Sequence, residues 1–252
     1  MNVKKGNDEA AAELSLSADA IKYLQSSRKT FRQNLQERFT RENRTRYFKS
    51  LKYSLYLCIH PLDGLWDLTH ERKGSIAAAN TIIVLMLLVR LWKMQFTNFM
   101  FLMVRWQNVN IIKEFLGVLA PIAIGCIANW SLTTLFDGKG TLKNIYMAVG
   151  YCMTPYVIIQ LPMIFLSNML TLEEGAIWSY LNTFTMIWIG LLLFAAMMEI
   201  HDYSLGKAVF ASVATIAGML IIIFIMLLFF SLITDGIGYF VSIYKELVFR
   251  IY

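Results

Sequence analysis

Four stretches of this chain contain no acid or base at all: residues 115–136, 145–172, 176–198 and 208–234 hold no Asp, Glu, Lys or Arg. Each is long enough for a transmembrane helix, which needs roughly 20 mainly apolar residues. A fifth run, 76–92, is interrupted only by Arg90. The short alternating segments of a membrane β-barrel are absent. Inside a bilayer the backbone must satisfy its own hydrogen bonds, so these runs must be helices. The expectation is an all-α, polytopic membrane protein built on a bundle of five transmembrane helices. The first twenty residues lack the apolar core of a cleavable signal, so the first span is expected to act as its own insertion signal.

Other absences narrow the chemistry. The only cysteines are Cys58, Cys126 and Cys152. Two lie in apolar runs and no pairing pattern exists, so they read as reduced packing residues. There is no G-x-x-x-x-G-K-[ST] loop for a nucleotide, no H-E-x-x-H for zinc and no G-x-S-x-G for a serine nucleophile. No span carries Asp, Glu, Lys or His in its middle, as ion-coupled transporters usually require. No cofactor, metal or catalytic residue is therefore expected, and the chain reads as a non-enzyme.

The polar remainder is organised. Residues 1–18 read as a disordered lead, and 19–73 as a cytoplasmic amphipathic and interfacial region. Within it Ile21, Leu24, Phe31, Leu35 and Phe39 recur at near-helical spacing, a stripe suited to docking on a partner groove or on the membrane surface. Arg41, Arg44, Arg46, Lys49 and Lys52 follow, suited to anionic headgroups. Because the membrane explains these charges, no nucleic-acid partner is expected. Phe96, Phe99, Met100, Met103 and Trp106 suggest a second interfacial segment. Phe240, Tyr244, Leu247 and Ile251 suggest a third over 236–252, set off from the five-span domain of 74–235 by a turn at Gly236 and Gly238.

Basic residues set the expected orientation. Residues 1–73 hold 14 of them, and Lys139, Lys143 and Lys207 fall on the same side. The other side has Arg90, Lys93, Arg105, Lys113, Lys245 and Arg250. The bias places the N-terminus in the cytoplasm and the C-terminus outside.

Between the second and third spans lies Asp137-Gly138-Lys139-Gly140-Thr141, whose glycines permit φ > 0 and a tight helix connector. Asn129, Trp130, Ser131, Thr133 and Thr134 precede it at helical spacing and favour interhelical packing. Pro121, Pro155 and Pro162 lie within spans and should bend them. Two other readings stay open. A carrier or channel would line a polar cavity with Asn129, Thr133, Thr154, Gln160, Asn168 or Asn182. A metal-dependent enzyme would use His60, His70 and His201, with Asp63, Asp67, Glu199 and Asp202 nearby.

Several motifs occur together in an order that resembles the bacterial branch of the Yip1-domain family. They are His60-Pro61-Leu62-Asp63, then Asn129-Trp130 through Asp137-Gly138-Lys139-Gly140-Thr141. Gly150-Tyr151 with Pro155 follows, then Ser167-Asn168 with Leu170-Thr171-Leu172-Glu173-Glu174. His201-Asp202-Tyr203-Ser204 with Gly206-Lys207 completes the set. The resemblance covers roughly residues 47–252. It implies five helices with a cytoplasmic N-terminus in the bacterial cell membrane. Bacterial members are often encoded beside ABC-type carbohydrate importers. That implies a scaffold or accessory subunit whose partners are membrane lipids and other integral membrane proteins, ABC permease subunits above all. The eukaryotic Asp-Leu-Tyr-Gly-Pro signature is absent, so a small-GTPase role is not carried over. The family supplies no catalytic residues.

Overall fold

The computed structural model describes residues 41–71, 73–102, 109–133 and 135–251. Residues 1–18, expected as a disordered lead, and the stripe Ile21, Leu24, Phe31, Leu35 and Phe39 lie outside the described residues. The chain divides into two compact units, residues 1–49 and 50–252. Of the first, only the opening turns of one helix are described.

The described residues are helical, in the order α1 (Arg41–Ile59), α2 (Pro61–His70), α3 (Ile76–Phe96), α4 (Ile111–Thr133), α5 (Leu142–Cys152), α6 (Thr154–Leu166), α7 (Gly175–His201) and α8 (Leu205–Ile251). Five segments are long and apolar enough to cross a membrane: α3, α4, α5 with α6, α7, and α8 through Glu246. The five-span all-α architecture read from the sequence therefore stands. Alternating spans give the bundle two ends. The segment before α3, the α4–α5 loop and the α7–α8 loop share one, called here the proximal end. The α3–α4 and α6–α7 connections share the distal end.

Local signals explain the boundaries. Ser75 caps α3 by accepting the Ala78 N–H at 3.1 Å, and Thr141 caps α5 through Asn144 N–H at 3.3 Å. The third span breaks at Met153, because Pro155 has no N–H to continue the ladder and sits in the first turn of α6. Pro121 and Pro162 are accommodated inside α4 and α6.

Small residues let helices approach, as membrane packing requires. A Cβ on Gly150 would lie 2.8 Å from Ala79 Cβ, so α5 and α3 touch almost backbone to backbone. Gly218 of α8 faces Ala128 and Leu132 of α4. The second half of α1 is held by fully buried Leu57, against which Gly64 of α2 packs, its missing Cβ 3.0 Å from Leu57 Cα. That section is therefore part of the packed unit and not only a headgroup-plane segment.

Two expectations are corrected. The described part of the second interfacial segment is a turn: Phe101 and Leu102 N–H both donate to Asn98 O. Phe99 and Met100 are exposed there, while Met103 and Trp106 lie outside the described residues. Asn98 dictates this turn, its carboxamide oxygen accepting the Met100 N–H at 3.1 Å. Nor does the chain turn at Gly236 and Gly238; α8 runs through both. Each glycine costs a helix about 1 kcal/mol relative to alanine, too little to interrupt a run this rich in Leu, Ile and Phe.

Candidate functional site

The motif residues of 60–63, 129–141 and 201–207 gather at the proximal end, where two loops interlock, while those of 167–174 lie at the distal end. The first leaves α4 with Gly138 N–H donating to Thr133 O at 2.8 Å. Its left-handed residue is Asp137, φ 51°, and neither Gly138 nor Gly140 has positive φ. The glycines are thus needed for a reason other than the expected one. A Cβ on Gly138 would meet Tyr203 Oη at 2.5 Å and His201 Nδ1 at 2.6 Å. A Cβ on Gly140 would meet His201 Cε1 at 2.6 Å and Ile200 Cγ2 at 2.7 Å. They are glycines because an imidazole and a phenol occupy the space.

The second loop closes α7. Asp202 is also left-handed, φ 53°, and Tyr203 N–H returns to Met198 O at 3.0 Å, a C-cap in which Asp stands where glycine is commoner. His201 is 1% exposed, and its Nδ1 accepts the Gly140 N–H at 3.3 Å. That places the proton of the neutral ring on Nε2, which is buried without a hydrogen-bond partner among the described residues. The ring stacks on Tyr203, centroids 5.1 Å apart. Burial, followed by the nearby Asp137 carboxylate, pushes the Tyr203 phenol above its ordinary pKa. Lys139 Nζ lies 2.9 Å from Asp202 Oδ2, and Lys207 Nζ lies 3.8 Å from Asp137 Oδ2 and 5.0 Å above the Tyr203 ring. Each loop thus offers an acid to a lysine of the other segment. These exposed pairs contribute about 0–1 kcal/mol each, so the glycine–imidazole fit holds the seam.

Tyr151 is a second fastening. It is fully buried, its Oη 2.7 Å from Ser50 Oγ; it also donates to Ser50 O at 3.2 Å and accepts the Ser75 N–H at 3.2 Å. Ser50 Oγ donates onward to Lys73 O at 3.0 Å. One phenol thereby joins α5, α1 and the strand-like entry to α3. Nearby, Tyr53 donates to Gly64 O at 3.0 Å and to Asp67 Oδ2 at 3.3 Å. Burial first, then Asp67, raises its pKa.

The histidines do not converge. His60 stacks on Tyr56, and His70 on Trp66, each with centroids 4.7 Å apart, while His201 is committed to Gly140. Among the described residues no group of three His, Cys, Asp or Glu side chains is placed to hold a metal ion. Pro61 opens α2, and Asp63 lies in its first turn, where the helix dipole favours an acid.

At the distal end lies a cluster that sequence reading recognised only in part. Lys93 does not reach for the interface. Its Nζ turns inward to Gln160 Oε1 at 2.9 Å and Asn182 Oδ1 at 2.7 Å, with Trp178 5.2 Å below. Gln160, fully buried, also donates to Asn182 Oδ1 at 3.0 Å. Gln160 and Asn182 were expected to share any polar cavity; Lys93, counted as a flanking charge, fills the space between them. Asn168 donates to Phe96 O and Ile164 O, each at 3.0 Å, and Glu174 accepts the Thr171 N–H at 3.0 Å. Thr133 turns back on Trp130 O of its own helix, and Thr154, which opens α6, donates to Tyr151 O in the last turn of α5. Asn129 is half-buried and Trp130 exposed, and Pro155 is buried behind the Met153 break. Of the polar residues named for a pathway, Thr133, Thr154, Gln160, Asn168 and Asn182 are thus hydrogen-bonded within the bundle.

The family model for the Yip1 domain matches residues 55–229. The chain belongs to the Yip1-domain family. No match was found among curated proteins or among solved structures. Both interlocked loops, Tyr151 and the Lys93 cluster fall within the Yip1 domain, whereas the remainder of α8 lies beyond it.

Proposed function

We propose that this Yip1-domain protein is a non-enzymatic accessory subunit that docks onto other integral membrane proteins, specifically an ABC-type carbohydrate importer of a bacterial cell membrane. In this reading the proximal end, with residues 1–73, faces the cytoplasm. One observation carries the proposal: among the described residues, the polar side chains of His201, Tyr151 and Lys93 are spent on holding the helices to one another. His201 is filled by Gly140, Tyr151 by Ser50 and Ser75, and Lys93 by Gln160 and Asn182. In this reading docking falls to the outer surface of the bundle and to the N-terminal region, whose sequence is basic and amphipathic. The charge bias supports the orientation, and the resemblance to bacterial Yip1 members supports the importer.

The test is purification of the tagged chain at native expression in a mild detergent. Permease and ATPase subunits recovered in fixed stoichiometry support the proposal. A lone monomer that moves solute across liposomes contradicts it. Removing residues 1–46 should leave the bundle inserted and lower the recovery of partners; unchanged recovery of every partner would refute docking through that region.

A further inference from the structure

A neutral imidazole offers one nitrogen as donor and the other as acceptor. At the proximal seam the backbone makes that choice for His201. The Gly140 N–H points at Nδ1 from 3.3 Å, so Nδ1 must carry a lone pair. Nε2 then holds the single proton, with no hydrogen-bond partner among the described residues. The ring is 1% exposed and Tyr203 stacks on it. The places that Cβ atoms would take on Gly138 and Gly140 lie only 2.6 Å from Nδ1 and Cε1. The interlocked loops are therefore closed around one protonation state of one ring.

A second proton undoes this arrangement. The imidazolium is a donor at both nitrogens. At Nδ1 it would set donor against donor, N–H facing the Gly140 N–H, and at Nε2 it still finds no acceptor. The surrounding charges do not repair this. Asp202 is the carboxylate whose charge reaches the ring, and it is held by Lys139 at 2.9 Å. Asp137, from the same loop as Lys139, faces Tyr203 and Lys207 of α8. Asp63 and His70 of α2 act on Glu199, one turn before the α7–α8 corner. The orphan Nε2–H already weakens the closed state, which brings opening within reach of a single proton.

We infer that the two interlocked loops are a proton-operated latch, closed while His201 is neutral and released when the ring takes a second proton. Release gives the imidazole access to water, where it is protonated below about pH 6.5. The closed state is thus favoured above that pH, and opening increases as pH falls through it. For one linked proton the rise is up to about tenfold per pH unit, or about 30-fold at pH 5 relative to pH 8. The latch ties the α4–α5 loop to the corner where α8 begins. Ala208 and Ala211 are buried against Tyr203 there, so release also loosens the first turns of α8. The latch answers to the pH of the compartment that the proximal end faces. This inference is independent of the importer assignment.

Amide hydrogen exchange on the full chain in lipid nanodiscs tests it. The opening constant is read in peptides spanning residues 136–142 and 199–205, corrected at each pH for the intrinsic exchange rate. It is expected to be about 30-fold higher at pH 5 than at pH 8, the rise beginning near pH 6.5. His201→Asn keeps an acceptor near the place of Nδ1 and takes up no proton, so its constant should stay flat. Carboxylates ordinarily titrate near pH 4, below this window. The other groups in reach of it are tested together in His60→Gln/His70→Gln/Glu199→Gln, which should keep the rise. That variant decides the assignment even where His201→Asn fails to close at pH 8. A wild-type constant that is flat from pH 8 to pH 5, a rise that persists in His201→Asn, or one lost in the triple variant overturns the latch.

Discussion

Replacing Gly140 by alanine tests the reading of the proximal seam most sharply. The added methyl would stand 2.6 Å from His201 Cε1 and 2.7 Å from Ile200 Cγ2. Neither neighbour has room to retreat, since the imidazole is 1% exposed and backed by Tyr203. Overpacking of this kind costs about 1–3 kcal/mol. Parting the loops also breaks the Gly140 N–H to Nδ1 bond, leaving a second buried imidazole nitrogen without a partner at about 1–3 kcal/mol. Backbone strain adds nothing, because Gly140 does not have positive φ. The sum is about 2–6 kcal/mol, or at least about 4 °C in Tm for a domain of this size at about 2–4 °C per kcal/mol. A thiol-reactive fluorogenic probe that detects buried Cys126 and Cys152 on unfolding would read it in detergent. Gly117→Ala and Gly190→Ala are the controls: both lie within helices with open space at Cβ, and each should gain up to about 1 kcal/mol. In Gly140→Ala/His201→Ala the methyl enters the space left by the ring, so the double variant should lose less than the two single losses combined. A Gly140→Ala protein that melts within 1–2 °C of wild type, by the same conversion of about 2–4 °C per kcal/mol, would refute the fit.

The other predictions concern separate fastenings. Tyr151→Phe removes bonds to Ser50 and Ser75 from a fully buried site and should lower stability by about 1–3 kcal/mol; an unchanged Tm would show that the phenol holds nothing. Lys139→Ala breaks an ion pair whose lysine is 75% exposed, and should cost less than about 1 kcal/mol, well below Gly140→Ala; the reverse ranking would mean that charge, not packing, holds the loops. Burial pushes the Cys58 thiol up to about 11. Because the thiolate is the reactive form, its alkylation should be slow at neutral pH and keep accelerating with pH toward that value; a rate that levels off by about pH 9, near the ordinary thiol range, would contradict this.

The spans were legible because the bilayer leaves a chain few choices: charge-free runs of this length must be helices. Pro155 announced the break in the third span for an equally local reason. The grouping of motifs was legible only as resemblance, since no spacing rule says that Gly138 and His201 meet across 63 residues. The reason for the glycines was misread for the same cause. Positive φ is a local property and could be guessed; an imidazole filling the place of a Cβ is a tertiary one. Lys93 shows a related gap. A lysine near a helix end ordinarily reaches for the interface, and only the placement of Gln160 and Asn182 on two other helices turns it inward. At Gly236 and Gly238 the sequence suggests a turn, but α8 runs through both, because two glycines cost a helix too little to interrupt so apolar a run.

Solute and ion flux across liposomes that contain the purified chain tests the central claim, that the polar side chains fasten the helices and leave no passage between them. Flux should equal that of protein-free vesicles, both for wild type and for Lys93→Met and Gln160→Leu. Saturable flux in the wild type that disappears in either variant would show a working pathway through the Lys93 cluster and contradict the account.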